Sequence, residues 1–151
     1  MIFFSKNVSD TRELAHILSR EILFTKLGNE KAVVLGLVGE LGAGKTAFTK
    51  EFIKTAGVKE KVSSPTFLIM RGFDLKSKKT CFKKIYHIDA YRIEPEDLLK
   101  LGLKEIINDP ENIVMVEWAD KVRKIMPRGT FWINFKHGKN ENERNITFNR
   151  R

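Results

Sequence analysis

Hydrophobic positions in the first third of the chain follow two different spacings, and each spacing predicts a different element. Residues 2–4 (IFF) form a short apolar run that is typical of an edge strand. From about Thr11 to Lys26, apolar side chains recur at helical spacing and predict a helix. Residues 31–39 (KAVVLGLVG) are almost continuously apolar, which favours a parallel strand buried on both faces. A second helix is predicted from Lys45 to about Ala56.

The remaining two thirds of the chain predict more strands than helices. Leucine and isoleucine at helical spacing predict one helix over residues 95–109. The other apolar runs predict strands at residues 66–74, 81–89, 112–118, 130–138 and 144–150. Strands alternate with helices early in the chain and pair with one another later. This order predicts a three-layer α/β fold with a mixed, mostly parallel sheet of about seven strands.

Length and composition narrow the class of protein. A chain of 151 residues with 42% hydrophobic residues is expected to form one domain over residues 1–151. Cys81 is the only cysteine, so no internal disulfide or cysteine-based zinc cluster can form, as is usual in a reducing cytosol. The N-terminal residues do not have the pattern of a secretion signal, and no apolar run is long enough to span a bilayer. We therefore expect a soluble cytoplasmic protein with no membrane contact.

The net charge of +9 is unevenly distributed along the sequence. Residues 71–84 carry six Lys or Arg against one Asp, and residues 121–151 carry nine against two Glu. Residues 85–120 carry three basic and nine acidic side chains. Basic surfaces of this kind can bind the phosphates of tRNA or an acidic protein face, but lysine-rich loops are also often simply solvated. Charge alone leaves these possibilities open.

One motif gives the sequence a specific chemistry. The segment GELGAGKT matches the P-loop pattern G-x-x-x-x-G-K-[ST] and lies between a predicted strand and a predicted helix, as in a P-loop NTPase-like fold. Its backbone N–H groups and the helix N-terminus are expected to bind nucleotide phosphates. Lys45 is expected to reach the β- and γ-phosphates, and the Thr46 hydroxyl to bind Mg²⁺. The predicted phosphate-binding residues are Gly39, Glu40, Leu41, Gly42, Ala43, Gly44, Lys45 and Thr46.

Two carboxylates at predicted strand ends are candidates for the rest of the site. Glu117 ends the strand IVMVE and Asp89 ends the strand IYHID. One is expected to hold Mg²⁺, and the other to orient water or sense the γ-phosphate. Two structural alternatives exist, because Glu117 could cap the following helix and Asp89 could pair with Arg92. We take Lys45, Asp89 and Glu117 as catalytic candidates, and Thr46 and Glu117 as metal ligands.

The segment SSPTF, residues 63–67, is a candidate switch region. P-loop switch proteins often place a hydroxyl there to contact the γ-phosphate or Mg²⁺, which makes Ser64 and Thr66 candidates, although Ser-Pro-Thr is also ordinary turn chemistry. The sequence lacks an N-K-x-D segment, which clamps guanine in most GTPases. ATP is therefore the expected nucleotide.

Four segments in order, GELGAGKT, SSPTF, YHIDAYR and VEWAD, together with DLLKLGLKEII, resemble the TsaE family of small bacterial P-loop ATPases. The likeness extends from the first helix to about residue 122. It implies a role in forming threonylcarbamoyladenosine in tRNA. It also implies weak, Mg²⁺-dependent ATP hydrolysis and assembly with the TsaD and TsaB proteins, where the nucleotide cycle supports or resets TsaD rather than transferring the group itself.

The resemblance also implies roles for individual residues. Lys45 matches the P-loop lysine, Thr46 the magnesium-binding hydroxyl, and Glu117 the second magnesium-linked position. Asp89 matches the essential acid of the segment H-x-D-x-Y-R. Thr11 lies where the family places an adenine contact.

Three neighbours of Asp89 belong to the same segment. His87, Tyr91 and Arg92 are interpreted mainly as a scaffold for the Asp89 carboxylate, with Arg92 as a possible charge partner for the phosphates.

Two other functions would use the same P-loop. A small-molecule kinase usually closes an arginine-bearing lid over the phosphates, and residues 97–110 contain no arginine. An RNA-binding module with a structural nucleotide would not explain two carboxylates at strand ends. Both remain alternatives at this stage.

Overall fold

Seven strands form the framework of the computed structural model, which describes residues 1–25, 28, 30–63 and 68–150. They are β1 (Ile2–Ser5), β2 (Val33–Gly39), β3 (Met70–Asp74), β4 (Lys84–Asp89), β5 (Asn112–Glu117), β6 (Phe131–His137) and β7 (Arg144–Arg150). All seven join one sheet in the order β1-β7-β6-β2-β5-β4-β3. The prediction of a mixed sheet of about seven strands is confirmed, and β1 lies at its edge as expected.

The direction of the strands changes from the centre of the sheet to its edges. The central strands β6, β2, β5 and β4 run parallel to one another, whereas the pairs β1–β7, β7–β6 and β4–β3 are antiparallel. The register pairs Leu37 of β2 with Glu117 of β5, and Glu117 with Asp89 of β4. The carboxyl ends of three parallel strands therefore meet at one edge, where ligands bind in open α/β sheets.

The helices are α1 (Val8–Phe24), α2 (Lys45–Thr55), α3 (Pro95–Lys100) and α4 (Leu103–Asn108), with a 3₁₀ helix at Ala119–Ile125. The single helix predicted over residues 95–109 is wrong, because two short helices replace it. Gly102 separates them with φ = 91°, a left-handed conformation that glycine adopts without steric cost. Among the described residues, no helix has both the length and the apolar character needed to cross a membrane.

Two hydrophobic layers cover the sheet, one on each face. Leu35 and Leu37 of β2 pack with Phe48 and Phe52 of α2. Val34, on the opposite face of β2, belongs to a second cluster with the side chains of α3 and α4. Because successive side chains of a strand point to opposite faces, β2 is buried on both, as its apolar run predicted. The predicted three-layer arrangement is confirmed.

Candidate nucleotide site

The P-loop joins the end of β2 to the start of α2, which begins at Lys45. Gly39 has φ = 152°, and a Cβ at this position would lie 2.5 Å from the Phe135 carbonyl oxygen on the neighbouring strand. Gly44, the N-cap of α2, has φ = 106°. Any other residue would be strained at both positions. The loop conformation thus requires the two glycines that define the motif.

Replacing Gly39 with alanine is expected to destabilise the protein by more than the cost of its backbone angle alone. Gly57→Ala is a matched control, because Gly57 also has positive φ (92°) but has open space where its Cβ would lie. Left-handed strain costs about 1–2 kcal/mol, and the clash with Phe135 adds to it only at Gly39. Urea unfolding measures both variants. Equal losses in free energy of unfolding would mean that the close approach of β6 does not constrain the loop.

Lys45 is held inside the loop. Its side chain is nearly buried, with 4% of the residue exposed, and Nζ donates hydrogen bonds to the carbonyls of Gly39 and Glu40 (2.8 Å to Glu40). The ammonium also lies 3.7 Å from the centre of the Trp118 ring. Burial lowers the pKa of Lys45 from its usual value, opposed by the charges of three carboxylates, Glu117, Asp120 and Asp89. A cation held this way is available to a phosphate placed at the same loop.

The metal candidates Thr46 and Glu117 are in direct contact. The Thr46 hydroxyl donates to Oε2 of Glu117 at 2.8 Å, and Oε1 of Glu117 lies 2.8 Å from Nε2 of His87. With both carboxylate oxygens engaged, Glu117 makes no cap for the following 3₁₀ helix, whose N-cap is Trp118 without a side-chain hydrogen bond. The structural alternative for Glu117 is therefore wrong.

Strand periodicity explains why these side chains converge. His87 and Asp89 are two residues apart on β4 and point to the same face, and Asp89 is in register with Glu117. That face is covered by α1 and α2, so the first turn of α2 brings Thr46 over the end of β5. The sheet edge and the helix N-terminus thus build the site together.

Asp89 lies half-buried at the end of β4, and its Oδ1 accepts a hydrogen bond from the Tyr91 backbone N–H at 3.0 Å. Among the described residues, no ion pair joins Asp89 to Arg92. The segment holds the carboxylate through the backbone of Tyr91 instead. His87, interpreted from sequence as part of the same scaffold, contacts Glu117 rather than Asp89.

A cleft of about 450 Å³ brings most of the predicted residues together. Its lining consists of Leu41, Gly42, Ala43, Gly44, Lys45, Thr46, Ile69, Asp89, Tyr91, Arg92, Glu117 and Trp118. Gly39 and Glu40 instead line a second cavity of about 410 Å³, at the end of β6. The switch candidates Ser64 and Thr66 lie outside the described residues.

Thr11 is buried beneath the P-loop, with 2% of the residue exposed. Its hydroxyl is paired with that of Ser5 at 2.8 Å, and its methyl group lies 3.7 Å from where a Cβ on Gly44 would be. The predicted adenine contact of Thr11 stays a prediction.

Comparison with known proteins decides between the families that share a P-loop. Residues 5–146 match the family model described as "Threonylcarbamoyl adenosine biosynthesis protein TsaE". The chain belongs to the TsaE family. The chain is 35% identical over 118 residues to TsaE of Haemophilus influenzae (78% of this chain, 70% of the relative). It is 35% identical over 142 residues to TsaE of Bacillus subtilis (94% and 80%).

A solved structure supports the same assignment. The crystal structure of Bacillus subtilis YdiB superimposes with a TM-score of 0.74 at 28% identity, covering 98% of this chain and 83% of that one. The relatives are named as tRNA threonylcarbamoyladenosine biosynthesis proteins. This TsaE-family chain is thus a P-loop nucleotide-binding protein of that biosynthesis.

Sequence reasoning missed a role for Trp118 in this TsaE-family site. Trp118 has φ = 58° and is the only non-glycine residue with positive φ in the described parts of the chain. Besides covering Lys45, its ring lies 4.8 Å from that of Tyr91, at the wall of the cleft. A non-glycine residue in this conformation directly after a metal candidate indicates a position constrained by the site. No sequence signal specified this backbone angle.

A second missed residue, Arg144, comes from the start of β7. Its guanidinium donates to the carbonyl of Gly42 at 2.9 Å and to that of Glu143 at 2.8 Å, which ties the β6–β7 hairpin to the P-loop. The sequence indicated for Arg144 only that it belongs to the basic segment 121–151. One member of that region therefore supports the phosphate-binding loop.

The basic segment 71–84 is partly neutralised by ion pairs. Arg71 pairs with Glu60 at 3.0 Å, Lys83 with Glu111 at 2.7 Å and Lys84 with Asp74 at 3.5 Å. Such exposed pairs contribute little stability, but they reduce the positive field of the surface. Three exposed lysines remain in the turn, at positions 76, 78 and 79.

Proposed function

We propose that this protein binds ATP and Mg²⁺ in the 450 Å³ cleft, hydrolyses ATP slowly by itself, and acts on tRNA modification indirectly through TsaD and TsaB. The observation that carries the proposal is the Thr46–Glu117 contact at 2.8 Å beside the P-loop, with Asp89 lining the same cleft. Family membership supplies the biosynthetic setting.

The donor set at Thr46 and Glu117 fits Mg²⁺. A hydroxyl and a carboxylate are the hard oxygen ligands that this ion prefers. The Thr46 hydroxyl donates its hydrogen to Glu117, so its lone pairs stay available as acceptors. When bound, Mg²⁺ would neutralise negative charge on the phosphates.

Other groups around the cleft would bind the phosphates and act on the attacking water. Lys45 would exchange its bonds to the Gly39 and Glu40 carbonyls for the phosphate oxygens, and the N-terminus of α2 would bind them through its N–H groups. Asp89, which lines the cleft, would accept a hydrogen bond from the attacking water or contact the γ-phosphate. The absence of an N-K-x-D segment supports ATP over GTP.

A resetting role explains why the protein would hydrolyse ATP without an acceptor substrate of its own. TsaD would transfer the threonylcarbamoyl group, and the nucleotide state of this chain would control TsaD within a complex that also contains TsaB. The exposed lysines of the basic segment are candidates for contact with tRNA or with an acidic face of a partner.

We expect the isolated protein to hydrolyse ATP slowly and the addition of TsaD and TsaB to raise the rate several-fold. Phosphate release is measured for the chain alone, with both partners, and with tRNA added. Lys45→Met in the presence of the partners is the control that assigns the turnover to this chain. Vigorous hydrolysis that the partners do not change would contradict the regulatory role. Phosphorylation of a metabolite would indicate a kinase instead.

A test on the basic segment separates nucleotide control from RNA binding. tRNA modification is measured with Lys45→Met and, separately, with charge reversal at Lys78 and Lys79, and the Lys45 variant is the one for which the two functions give opposite expectations. The proposed function requires the Lys45 variant to fail. Normal modification with that variant, combined with failure on charge reversal, would favour a simple RNA-binding module.

A further inference from the structure

His87 is the most deeply buried ionisable side chain of the site, and the cleft does not reach it. Its side chain is 1% exposed, that of Glu117 is 3% exposed, and the two lie 2.8 Å apart through His87 Nε2 and Glu117 Oε1. Because a carboxylate has no hydrogen to donate, Nε2 carries the proton and donates it. His87 does not line the cleft, so any effect on bound nucleotide passes through Glu117.

The contact fixes the orientation of the Glu117 carboxylate. One oxygen accepts from His87 and the other accepts from Thr46, so each has a donor on its own side. Without the His87 bond, only the bond from Thr46 would oppose rotation about the last side-chain torsion of Glu117, which is broad and roughly two-fold. The oxygen that faces Thr46 would then be set only by the threonine hydroxyl.

The two ring nitrogens of His87 have different surroundings. The other ring nitrogen, Nδ1, is buried and has no hydrogen-bond partner among residues 1–25, 28, 30–63 and 68–150. A buried polar atom left unpaired lowers the stability of a fold. The unpaired Nδ1 therefore lowers stability. The favourable contribution of the ring to this site is the hydrogen bond from Nε2 to Glu117.

We propose that His87 is a positioning residue: its Nε2–H holds Oε1 of Glu117 and thereby presents Oε2, next to Thr46, to the magnesium of the bound nucleotide. This inference rests on the proposed Mg²⁺–nucleotide site. Ligand-orienting partners of this kind typically contribute 10- to 100-fold in metal affinity. His87 would contribute to the magnesium-dependent part of nucleotide affinity and leave the phosphate-binding loop unaffected.

Two amide variants distinguish the effect of losing the hydrogen bond from the effect of losing the imidazole ring itself. In His87→Gln the amide nitrogen can occupy the place of Nε2 and donate to Glu117, whereas in His87→Asn the shorter side chain places it near Nδ1, away from the carboxylate. ADP affinity is measured by calorimetry in excess Mg²⁺ and again in EDTA. The ratio of the two affinities gives the magnesium-dependent increment.

We expect His87→Asn to reduce this increment about 10- to 100-fold while ADP affinity in EDTA stays close to that of the wild type. His87→Gln should retain most of the increment. A full increment in His87→Asn would overturn the proposal, and so would an equal loss in both variants, since the ring rather than the donor would then matter. If the wild type itself shows no increment, the proposed Mg²⁺–nucleotide site fails, and the role of His87, which rests on it, is overturned as well.

A measurement on the unmodified protein covers the case in which the asparagine variant does not fold. Nitrogen-15 NMR of the histidine rings is expected to find the Nε2-protonated tautomer of His87 with and without Mg²⁺ and ADP. A tautomer protonated at Nδ1 in the Mg²⁺–ADP complex would overturn the proposal, because Nε2 could not then donate to Glu117.

Discussion

Replacing Lys45 with methionine is expected to abolish ATP hydrolysis and to weaken ADP binding at least about tenfold. The Lys45 ammonium is the buried cation of the P-loop, and a charge-assisted hydrogen bond contributes about 1.5–3 kcal/mol, or roughly 10- to 100-fold in affinity. Hydrolysis should fall further, because loss of one preorganised donor to a transition state costs about 10²–10³ in rate. Calorimetry and phosphate release measure the two effects.

The control for Lys45→Met is Lys50→Met, which removes an exposed lysine from the same helix. Methionine preserves the length and apolar stem of Lys45, and burial already disfavours the charged form, as its lowered pKa indicates. The variant should therefore unfold at a urea concentration similar to the wild type. Loss of binding in both variants, or unchanged binding in Lys45→Met, would contradict the assignment of Lys45 to the phosphates.

The sequence predicted those parts of the fold that depend on local pattern. Continuous apolar runs located β2 and β5 because strands buried on both faces have no polar side to alternate with. It failed at residues 95–109, where the apolar spacing continues through Gly102 but the backbone does not. Apolar spacing indicates which side chains are buried, but it does not reveal a left-handed residue that divides one predicted helix into two short ones.

The sequence could predict those parts of the candidate site whose location follows from a general rule of sheet structure. Glu117 and Asp89 follow apolar strands, and parallel strands end at one edge, so their proximity could be expected. The contact of His87 with Glu117 could not be predicted, because it depends on the register of β4 against β5. The contact of Arg144 with Gly42 joins residues 102 positions apart, and only the hairpin geometry brings them together.

The two carboxylates of the cleft, Glu117 and Asp89, have different surroundings, and we expect them to have different roles. Glu117 is buried and bonded on both oxygens, as suits a fixed ligand. Asp89 is half-buried, and its carboxylate accepts a hydrogen bond from the backbone N–H of Tyr91. A carboxylate nearer the solvent is more accessible to a water molecule than one enclosed between two donors. We therefore propose Glu117 as the metal ligand and Asp89 as the group that acts on water.

The variants Asp89→Asn and Glu117→Gln are expected to have different effects, with the first lowering mainly the hydrolysis rate and the second mainly the magnesium-dependent affinity for ADP. Asp89→Asn should lower the hydrolysis rate about 10²- to 10⁴-fold and change Mg²⁺–ADP affinity little, because a proton acceptor is lost while the metal ligand remains. Glu117→Gln should reduce the magnesium-dependent increment of ADP affinity about tenfold or more, because a charged oxygen ligand is lost. Calorimetry with and without Mg²⁺, and phosphate release, give both quantities for each variant.

Both replacements keep the size of the side chain, so the fold should tolerate them. The amide at position 117 can still satisfy Thr46 and His87, since a hydroxyl can turn to accept and a histidine can change tautomer. Glu105→Gln, on the exposed surface of α4, is the control for loss of a carboxylate elsewhere. If Asp89→Asn removed the magnesium-dependent increment and Glu117→Gln left it intact, the roles would be reversed, with Asp89 as the metal ligand and Glu117 acting on water.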